Sequence, residues 1–268
     1  MSSAWADAWA AVILGVVEGI TEFLPVSSTG HLIIAADLLG RDEAAIDTFI
    51  VVIQLGAILA VCWIYRQRLL GLLGSLGARS TQHFAGRLFT AFLPAAIVGL
   101  LLHAQVKALF APANVAIALI VGGIAIIVIE NRQPAVRVRS IDDVGYREAL
   151  LIGLAQVLAL FPGVSRAAAT IMGGRLCGLD RVAATEFSFF LAIPVMVAAS
   201  GYDMYASWDQ LRASDLKLIA IGFVTAFVSA MLAVKWLLRF IAVRDFKPFG
   251  WYRIALGALV LALLGAEA

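Results

Sequence analysis

Charged residues are scarce in this chain. Asp, Glu, Lys and Arg make up 14% of its 268 residues, whereas 62% of the residues are hydrophobic. A water-soluble domain usually carries about 25% charged residues, so the composition excludes that class and predicts an all-α polytopic membrane protein. The apolar runs are long and unbroken rather than alternating, which argues against a membrane β-barrel. A net charge of +2 says little about partners, and we expect no nucleic-acid partner.

Cysteine is also nearly absent. Cys62 and Cys177 are far apart and match neither a disulfide framework nor a metal-ligand pattern, so we expect them to be packing residues. The segment from Met1 to Ala11 contains Asp7 and no basic residue, and we therefore expect no cleavable signal peptide. The chain also lacks a Walker loop and the motifs of haem or nicotinamide proteins.

Long apolar runs are what the chain does contain. Six of them approach the roughly 20 residues that a membrane-crossing helix needs, at about 46–65, 87–103, 114–130, 183–202, 216–238 and 250–266. Two further apolar regions, at about 8–40 and 148–180, are each broken in the middle by proline and glycine. Each is too long for one span and too interrupted for two. We therefore predict two re-entrant helical hairpins, whose broken backbone is tolerated only beside protein or a watery cavity.

The two broken regions resemble each other at a constant spacing of 138 residues. Glycine, phenylalanine and serine recur in the pairs Gly15 and Gly153, Phe23 and Phe161, and Ser27 and Ser165. We predict a single membrane domain over 1–268, built from repeat one at about 8–130 and repeat two at about 148–266. Each repeat would hold one hairpin and three spans. Because three is odd, the second copy must be inverted, an arrangement that commonly places a polar site near the membrane midplane.

Basic residues are concentrated in alternate loops. The loops rich in arginine and lysine are at about 66–87, 131–147 and 239–253, and the last of them includes Arg253. Two further arginines, Arg175 and Arg181, follow the second hairpin. The positive-inside rule puts these loops in the cytoplasm. Both termini are then expected outside. The first hairpin would enter from the outer face and the second from the cytoplasm.

Two carboxylates, Glu18 and Glu22, lie in the first broken region, four residues apart and so on one helical face. Ionisable groups inside a membrane are costly and usually face a cavity or a partner. One interpretation is a hydrogen-bonded structural pair. The other is a set of oxygen ligands for a divalent cation, since two close carboxylates repel unless a cation or an arginine lies between them.

Hydroxyl groups and a histidine follow the break at Pro25. A serine there, Ser27 or Ser28, would cap the restarted half-helix. An N-terminus aimed at the midplane would also present free N–H groups to an anion. His31 lies three or four residues beyond the two serines, on their side of the helix, and we expect it to be functional rather than purely structural.

The second break is followed by an arginine. Pro162 and Gly163 interrupt the helix, Ser165 is expected to cap the restart, and Arg166 opposes the helix dipole unless an anion binds there. With the hydroxyl of Thr170, one turn on, these groups would form a phosphate cradle. The alternative is that Arg166 only pairs with a glutamate of the first hairpin. The two breaks together indicate phosphoryl chemistry on a substrate whose tail lies in lipid.

These segments resemble the bacterial undecaprenyl-pyrophosphate phosphatases, also called bacitracin-resistance proteins. The matching motifs are E-G-I-T-E-F-L-P-V-S-S-T-G-H at 18–31, P-G-V-S-R-x-x-x-T at 162–170, V-V-I-Q-L-G-A at 51–57 and E-F-S-F at 186–189. The resemblance extends over essentially the whole chain. It implies hydrolysis of undecaprenyl diphosphate to the monophosphate and inorganic phosphate, which recycles the lipid carrier for cell-wall synthesis. It also implies a bacterial inner-membrane location and a divalent cation, Mg²⁺ or Ca²⁺.

The resemblance also assigns functional positions, which are Glu18, Glu22, Ser28, His31, Ser165, Arg166 and Thr170. Glu18 and Glu22 would bind the metal or act as a base. The diphosphate would be held at the two helix N-termini by a set of hydroxyls and one guanidinium, which are Ser27, Ser28, Ser165, Arg166 and Thr170. Ser28 is the candidate nucleophile, with His31 or Glu22 taking its proton, and direct attack by water is the rival. The family usually has serine where this chain has Ala167, which argues against an essential hydroxyl there.

A transporter that flips the monophosphate lipid is the alternative function, because inverted repeats with broken helices are a transporter architecture. The expected partners are the polyprenyl diphosphate and membrane lipids, with a homodimer as a further expectation. The site is expected to open to the outer face, since only the first hairpin carries both glutamates.

Overall fold

The structure, a computed structural model, describes residues 3–40, 43–102, 105–106, 109, 111–206 and 216–267. Within these ranges the helices are α1 (Ser3–Thr21), α2 (Ser28–Leu38), α3 (Glu43–Ile64), α4 (Arg66–Gly74), α5 (Arg79–Leu101), α6 (Pro112–Arg132), α7 (Tyr146–Val157), α8 (Arg166–Leu176), α9 (Arg181–Ala206), α10 (Leu216–Ile241) and α11 (Lys247–Glu267). The one β-type pairing among the described residues is an isolated bridge between Val138 and Leu179. The prediction of an all-α protein is confirmed.

Five helical stretches are long and apolar enough to cross a membrane: Arg79–Leu101, Pro112–Arg132, Arg181–Tyr202, Leu216–Ile241 and Lys247–Gly265. They match five of the six predicted spans. The remaining one, at about 46–65, falls on α3, which continues into α4 through a bend of 75° and gives a sixth span if the bent pair is counted as one. The described residues therefore form a multi-pass membrane protein with five or six candidate spans.

Both predicted breaks are present. In the first region α1 ends at Thr21 and α2 begins at Ser28, and in the second α7 ends at Val157 and α8 begins at Arg166. Helices α2 and α8 have 11 residues each. At 1.5 Å per residue each is about 16 Å long, roughly half of the 30 Å hydrocarbon core. Neither can cross a membrane alone. Helix α1 has 19 residues and is longer than the half-helix that the sequence suggested.

Small residues bring α1 against α10. A Cβ atom on Gly15 would overlap the Gly222 backbone and the Thr225 side chain of α10, and one on Gly19 would overlap Ser229. Backbones in membranes approach this closely through such residues, because apolar side chains gain nothing there from leaving water. Here the small residues hold α1, the first helix of the broken region, against a helix from the other end of the chain.

The second region packs in a related way. Gly153, 138 positions after Gly15, lies against α5, where a Cβ atom would meet the Ala91 carbonyl oxygen at 2.4 Å, a distance no real contact shows. Helices α6 and α11 form a third close pair, with Gly123 against the Gly250 carbonyl. The first helix of each broken region therefore packs on a helix from the opposite half of the chain.

A buried aromatic cluster joins the first break to α9. Phe23, just after α1, is fully buried, and its ring meets that of Phe189 edge-on at a centroid distance of 5.4 Å. Phe187 and Phe190 of α9 are buried beside them. This apolar cluster fixes the first break against the helix that also supports the second.

The structure corrects one part of the charge argument. Arg253 lies within α11 and has no exposed surface, so it is not a loop residue that marks the cytoplasmic side. Arg175 is also buried, and Glu130 of α6 pairs with both Arg175 and Arg181. Sequence alone could not separate a basic residue at a helix end from one folded inward. Cys62 and Cys177 are free and partly buried, as the sequence predicted.

Candidate active site

Each restarted helix has a serine at its N-cap in the same rare backbone conformation. Ser27 and Ser165 both have φ of 73°, although positive φ is uncommon outside glycine. Ser27 Oγ accepts a bond from the Gly30 amide at 3.5 Å, and Ser165 Oγ accepts one from the Ala168 amide at 3.2 Å. The predicted caps are therefore present. The first helical residues, Ser28 and Arg166, stand directly after them.

Glu22 joins the two breaks. Its Oε2 accepts a hydrogen bond from Ser28 Oγ at 2.5 Å, and its Oε1 accepts one from Arg166 Nη2 at 3.1 Å. The side chains of this ion pair are only 7% and 11% exposed. One buried carboxylate thus contacts the hydroxyl at the start of α2 and the guanidinium at the start of α8.

Arg166 keeps hydrogen-bonding capacity beyond this pair. Its Nη1 donates to the Ser188 carbonyl at 3.1 Å, and its guanidinium carbon lies 5.5 Å from the centre of the Phe23 ring. Its Nε is buried and has no acceptor among the described residues. Because arginine presents five donors in a planar fork, this geometry leaves a donor for an oxygen of a bound anion. The ion pair that the sequence offered as an alternative is therefore present, but it does not use all the hydrogen-bond donors of the guanidinium.

Thr170 stands behind Arg166. Its Oγ1 lies 2.6 Å from Ser188 Oγ and donates to the Arg166 carbonyl at 2.8 Å. Both hydroxyl-bearing residues are fully buried. The sequence predicts that Thr170 binds phosphate. In the structure its hydroxyl lies beside Ser188, whose carbonyl accepts a hydrogen bond from Arg166, so Thr170 is one residue away from the predicted cradle. Sequence reasoning missed Ser188.

Glu18 lies one turn before Glu22 and is 1% exposed. Its Oε1 has no hydrogen-bond partner in the described structure. A buried carboxylate without a partner is costly, so the position suits a proton or a cation. No group of three or more His, Cys, Asp or Glu side chains forms a metal cluster within the described ranges. Two carboxylates still suit Mg²⁺, which keeps several waters and takes further oxygens from phosphate.

His31 is held away from the candidate nucleophile. Its Nδ1 lies 2.7 Å from the Ser27 carbonyl, and its Nε2 lies 2.6 Å from the Tyr252 hydroxyl of α11. Since a carbonyl only accepts, Nδ1 carries a proton and donates to Ser27, while Nε2 shares a hydrogen bond with the Tyr252 hydroxyl. The two rings stack at 5.6 Å. Glu22, rather than His31, therefore contacts the hydroxyl of Ser28. Sequence reasoning missed Tyr252 as well.

The fold and the site together define a polytopic helical membrane protein in which a buried carboxylate contacts a hydroxyl and a guanidinium between two helix breaks. The chain belongs to the family of the bacitracin resistance protein BacA, whose model matches residues 11–259. This confirms the resemblance that the sequence motifs indicated.

Curated relatives match over nearly their whole length. A protein of Methylobacillus flagellatus named undecaprenyl-diphosphatase is 53% identical over 258 residues, which cover 94% of this chain and 96% of the relative. One of Nitrosomonas europaea with the same name is 52% identical over 258 residues, covering 96% and 94%. Undecaprenyl-diphosphatase 2 of Rhodospirillum rubrum is 54% identical over 255 residues, covering 94% and 93%.

Proposed function

We propose that this protein is an integral membrane undecaprenyl-diphosphatase. It would hydrolyse undecaprenyl diphosphate to undecaprenyl phosphate and inorganic phosphate and so recycle the lipid carrier for cell-wall synthesis. Family membership and the names of the relatives support this function. The structural observation that carries it is Glu22, which accepts hydrogen bonds from Ser28 and Arg166 between the N-termini of α2 and α8. A protein that only bound a phosphate would gain nothing from a carboxylate against that hydroxyl.

The residues suggest how the diphosphate is held and attacked. Arg166 and the N–H groups at the starts of α2 and α8 bind the phosphate oxygens and stabilise the charge that develops at the transferring phosphorus. Ser28 Oγ attacks the terminal phosphorus, its proton passes to Glu22, and the bond to the departing undecaprenyl phosphate breaks. Water then hydrolyses the phosphoserine. In the rival route, Glu22 activates a water that attacks directly.

We also propose that a divalent cation, Mg²⁺ or Ca²⁺, binds at Glu18 and Glu22. The support is the unpartnered Oε1 of Glu18, buried one turn from Glu22. When bound, the ion would offset the negative charge of the diphosphate and polarise its phosphorus–oxygen bonds. Of the two glutamates, Glu18 would have the freer oxygen for the ion, because both oxygens of Glu22 already accept hydrogen bonds, from Ser28 and Arg166.

The prenyl tail of the substrate has a candidate groove. An apolar groove of about 710 Å³ runs between α1 and α10, and its lining includes Val16, Ile20, Leu24, Val228 and Trp236. Leu24 stands directly beside the first break. A chain attached to the diphosphate could therefore leave the site along α1 without exposing apolar carbon to water.

For the topology we propose six spans, two re-entrant hairpins and an inverted repeat, with repeats at about 8–130 and 148–266. The support is that Ser27 and Ser165, 138 residues apart, share φ of 73° and cap equivalent helices. The swapped packing of α1 on α10 and α7 on α5 agrees with it. We further propose that the protein lies in the bacterial inner membrane, with both termini outside and the site open to the outer face.

The direct test measures phosphate release from undecaprenyl diphosphate by purified protein in detergent with Mg²⁺. We expect multiple turnovers by the native chain and none by the Glu22→Ala variant purified in the same way. Binding of undecaprenyl phosphate without any phosphate release, by protein shown to be folded, would instead support the transporter alternative.

A further inference from the structure

Arg253 of α11 contacts both breaks at once. Its side chain is fully buried. Nη1 donates to the carbonyl oxygen of Pro25 at 3.2 Å, and Nη2 donates to that of Gly163 at 2.9 Å. Pro25 and Gly163 are 138 residues apart, and each stands two residues before the capping serine of its break. A single guanidinium therefore bridges equivalent carbonyls of the two hairpins.

The surroundings of Arg253 are arranged for this contact. The guanidinium also donates to the carbonyls of Ala118 and Leu119 in α6, at 3.2 and 3.4 Å. A Cβ atom on Gly122 would overlap it, so glycine at that position leaves the space it occupies. In the described part of the chain every hydrogen bond of Arg253 goes to a main-chain carbonyl, and no carboxylate pairs with it.

Burying a charge without a counter-ion is expensive, so the contact needs a reason. The carbonyls of Pro25 and Gly163 lie outside the regular helices, and at membrane depth such groups must be satisfied by the protein. Two neutral donors could satisfy them separately. Only the planar fork of arginine can hold both carbonyls in one fixed geometry, because the ammonium group of lysine is a point charge on a flexible stem.

We propose that Arg253 is a positioning residue for the hydrolysis. It fixes the two breaks relative to each other, and thereby holds Arg166 of the second hairpin against Glu22 of the first. Because its hydrogen bonds go to main-chain carbonyls and not to Glu22, Ser28 or Arg166, its loss acts through the distance between Arg166 and Glu22. The catalytic part of this proposal rests on the proposed function, whereas the bridging of the two hairpins does not.

The kinetic test compares Arg253→Lys and Arg253→Gln with Arg244→Lys, the same change at an exposed arginine. We expect both Arg253 variants to lose tenfold or more in kcat, with KM changed less than threefold, once rates are divided by the amount of folded protein. Arg244→Lys should retain normal kinetics. Near-normal kcat in Arg253→Lys would overturn the positioning role in hydrolysis, since lysine keeps the charge but not the fork.

A distance measurement tests the same proposal without any activity. Spin labels at the exposed residues Leu38 and Leu176, the last residues of α2 and α8, report the separation of the two hairpins by double electron–electron resonance. We expect one narrow distance distribution with the native arginine and a broader or shifted one with Arg253→Gln. Gly122→Ala adds a methyl group against the guanidinium and should also broaden or shift the distance distribution. A distribution that neither variant alters would refute the inference, whatever the kinetics show.

Discussion

Replacement of Arg166 by lysine should nearly abolish turnover while the protein still folds. The arginine donates to two oxygens through different nitrogens, one in the Glu22 carboxylate and one in the Ser188 carbonyl, and Nη2 also contacts the Met196 sulfur. Its Nε has no acceptor among the described residues. Lysine offers one nitrogen, which can keep the pair with Glu22. A lysine ammonium lacks the planar fork of arginine, so once it is paired with Glu22 it cannot also bind two phosphate oxygens side by side.

The expected magnitude follows from the bonds that are lost. A hydrogen bond to a charged group is worth about 1.5–3 kcal/mol. Losing two such bonds to the transition state removes about 3–6 kcal/mol, or roughly 10²- to 10⁴-fold in kcat at 1.36 kcal/mol per decade. The assay is phosphate release at saturating undecaprenyl diphosphate, with thermal unfolding and gel filtration as measures of folding.

Arg175 provides the matched control, since it is a buried arginine on the same helix. It lies next to the last residue of α8, at the opposite end of that helix from Arg166, where it pairs with Glu130 and donates to the Leu179 carbonyl. We expect Arg175→Lys to lower the melting temperature and to leave kcat per folded molecule within about threefold, a change worth under 1 kcal/mol. If Arg166→Lys retained more than a tenth of the native kcat, the guanidinium would not be the phosphate cradle.

Four further outcomes are expected. EDTA should stop hydrolysis reversibly, and Glu18→Gln should raise the Mg²⁺ concentration needed for half-maximal rate; full activity of metal-free protein would contradict the cation. Rapid acid quenching should trap a phosphoserine that Ser28→Ala lacks, and turnover surviving that change would favour direct attack by water. Ile20→Trp, which narrows the groove, should raise KM for undecaprenyl but not for farnesyl diphosphate; equal effects would argue against a tail site. In a chain without native cysteines, an impermeant thiol reagent on intact cells should label a cysteine at position 3 and spare cysteines at Ser75 and Ser140, and the opposite pattern would reverse the orientation.

The local features of the site could be predicted from the sequence. Proline and glycine close to capping hydroxyls often interrupt an apolar helix, so the breaks at Pro25 and at Pro162–Gly163 are visible in the sequence. Pro94 and Pro194 lie inside continuous helices, so a proline alone does not predict a break. A serine before a restarted helix is a cap in almost any context. An arginine in the first turn of a helix is repelled by the positive end of the helix dipole, which predicts a negative partner nearby. In the structure that partner is Glu22.

Contacts made by distant helices could not be predicted. Tyr252 and Arg253 lie more than 220 residues after the first break, and their sequence neighbourhood looks like an ordinary basic end of a membrane span. Ser188 lies inside an apolar helix, where the hydropathy pattern does not show which side faces the site. Each of these residues acts through tertiary contacts, so only the folded chain shows what it touches.

The proposed repeat also explains why one site arises from two similar halves. Ser28 and Arg166 are 138 residues apart, and each is the first residue of its restarted helix. The same position therefore supplies a hydroxyl in one half and a guanidinium in the other, and both contact Glu22. The counterparts of Glu18 and Glu22 in the second half are Gln156 and Leu160, so only one half retains carboxylates. Four buried carboxylates around one diphosphate would repel it, whereas two carboxylates facing one arginine leave room for a cation and the substrate. In the proposed repeat, different residues at equivalent positions would give the junction of the two helix N-termini an acid–base side and a phosphate-binding side.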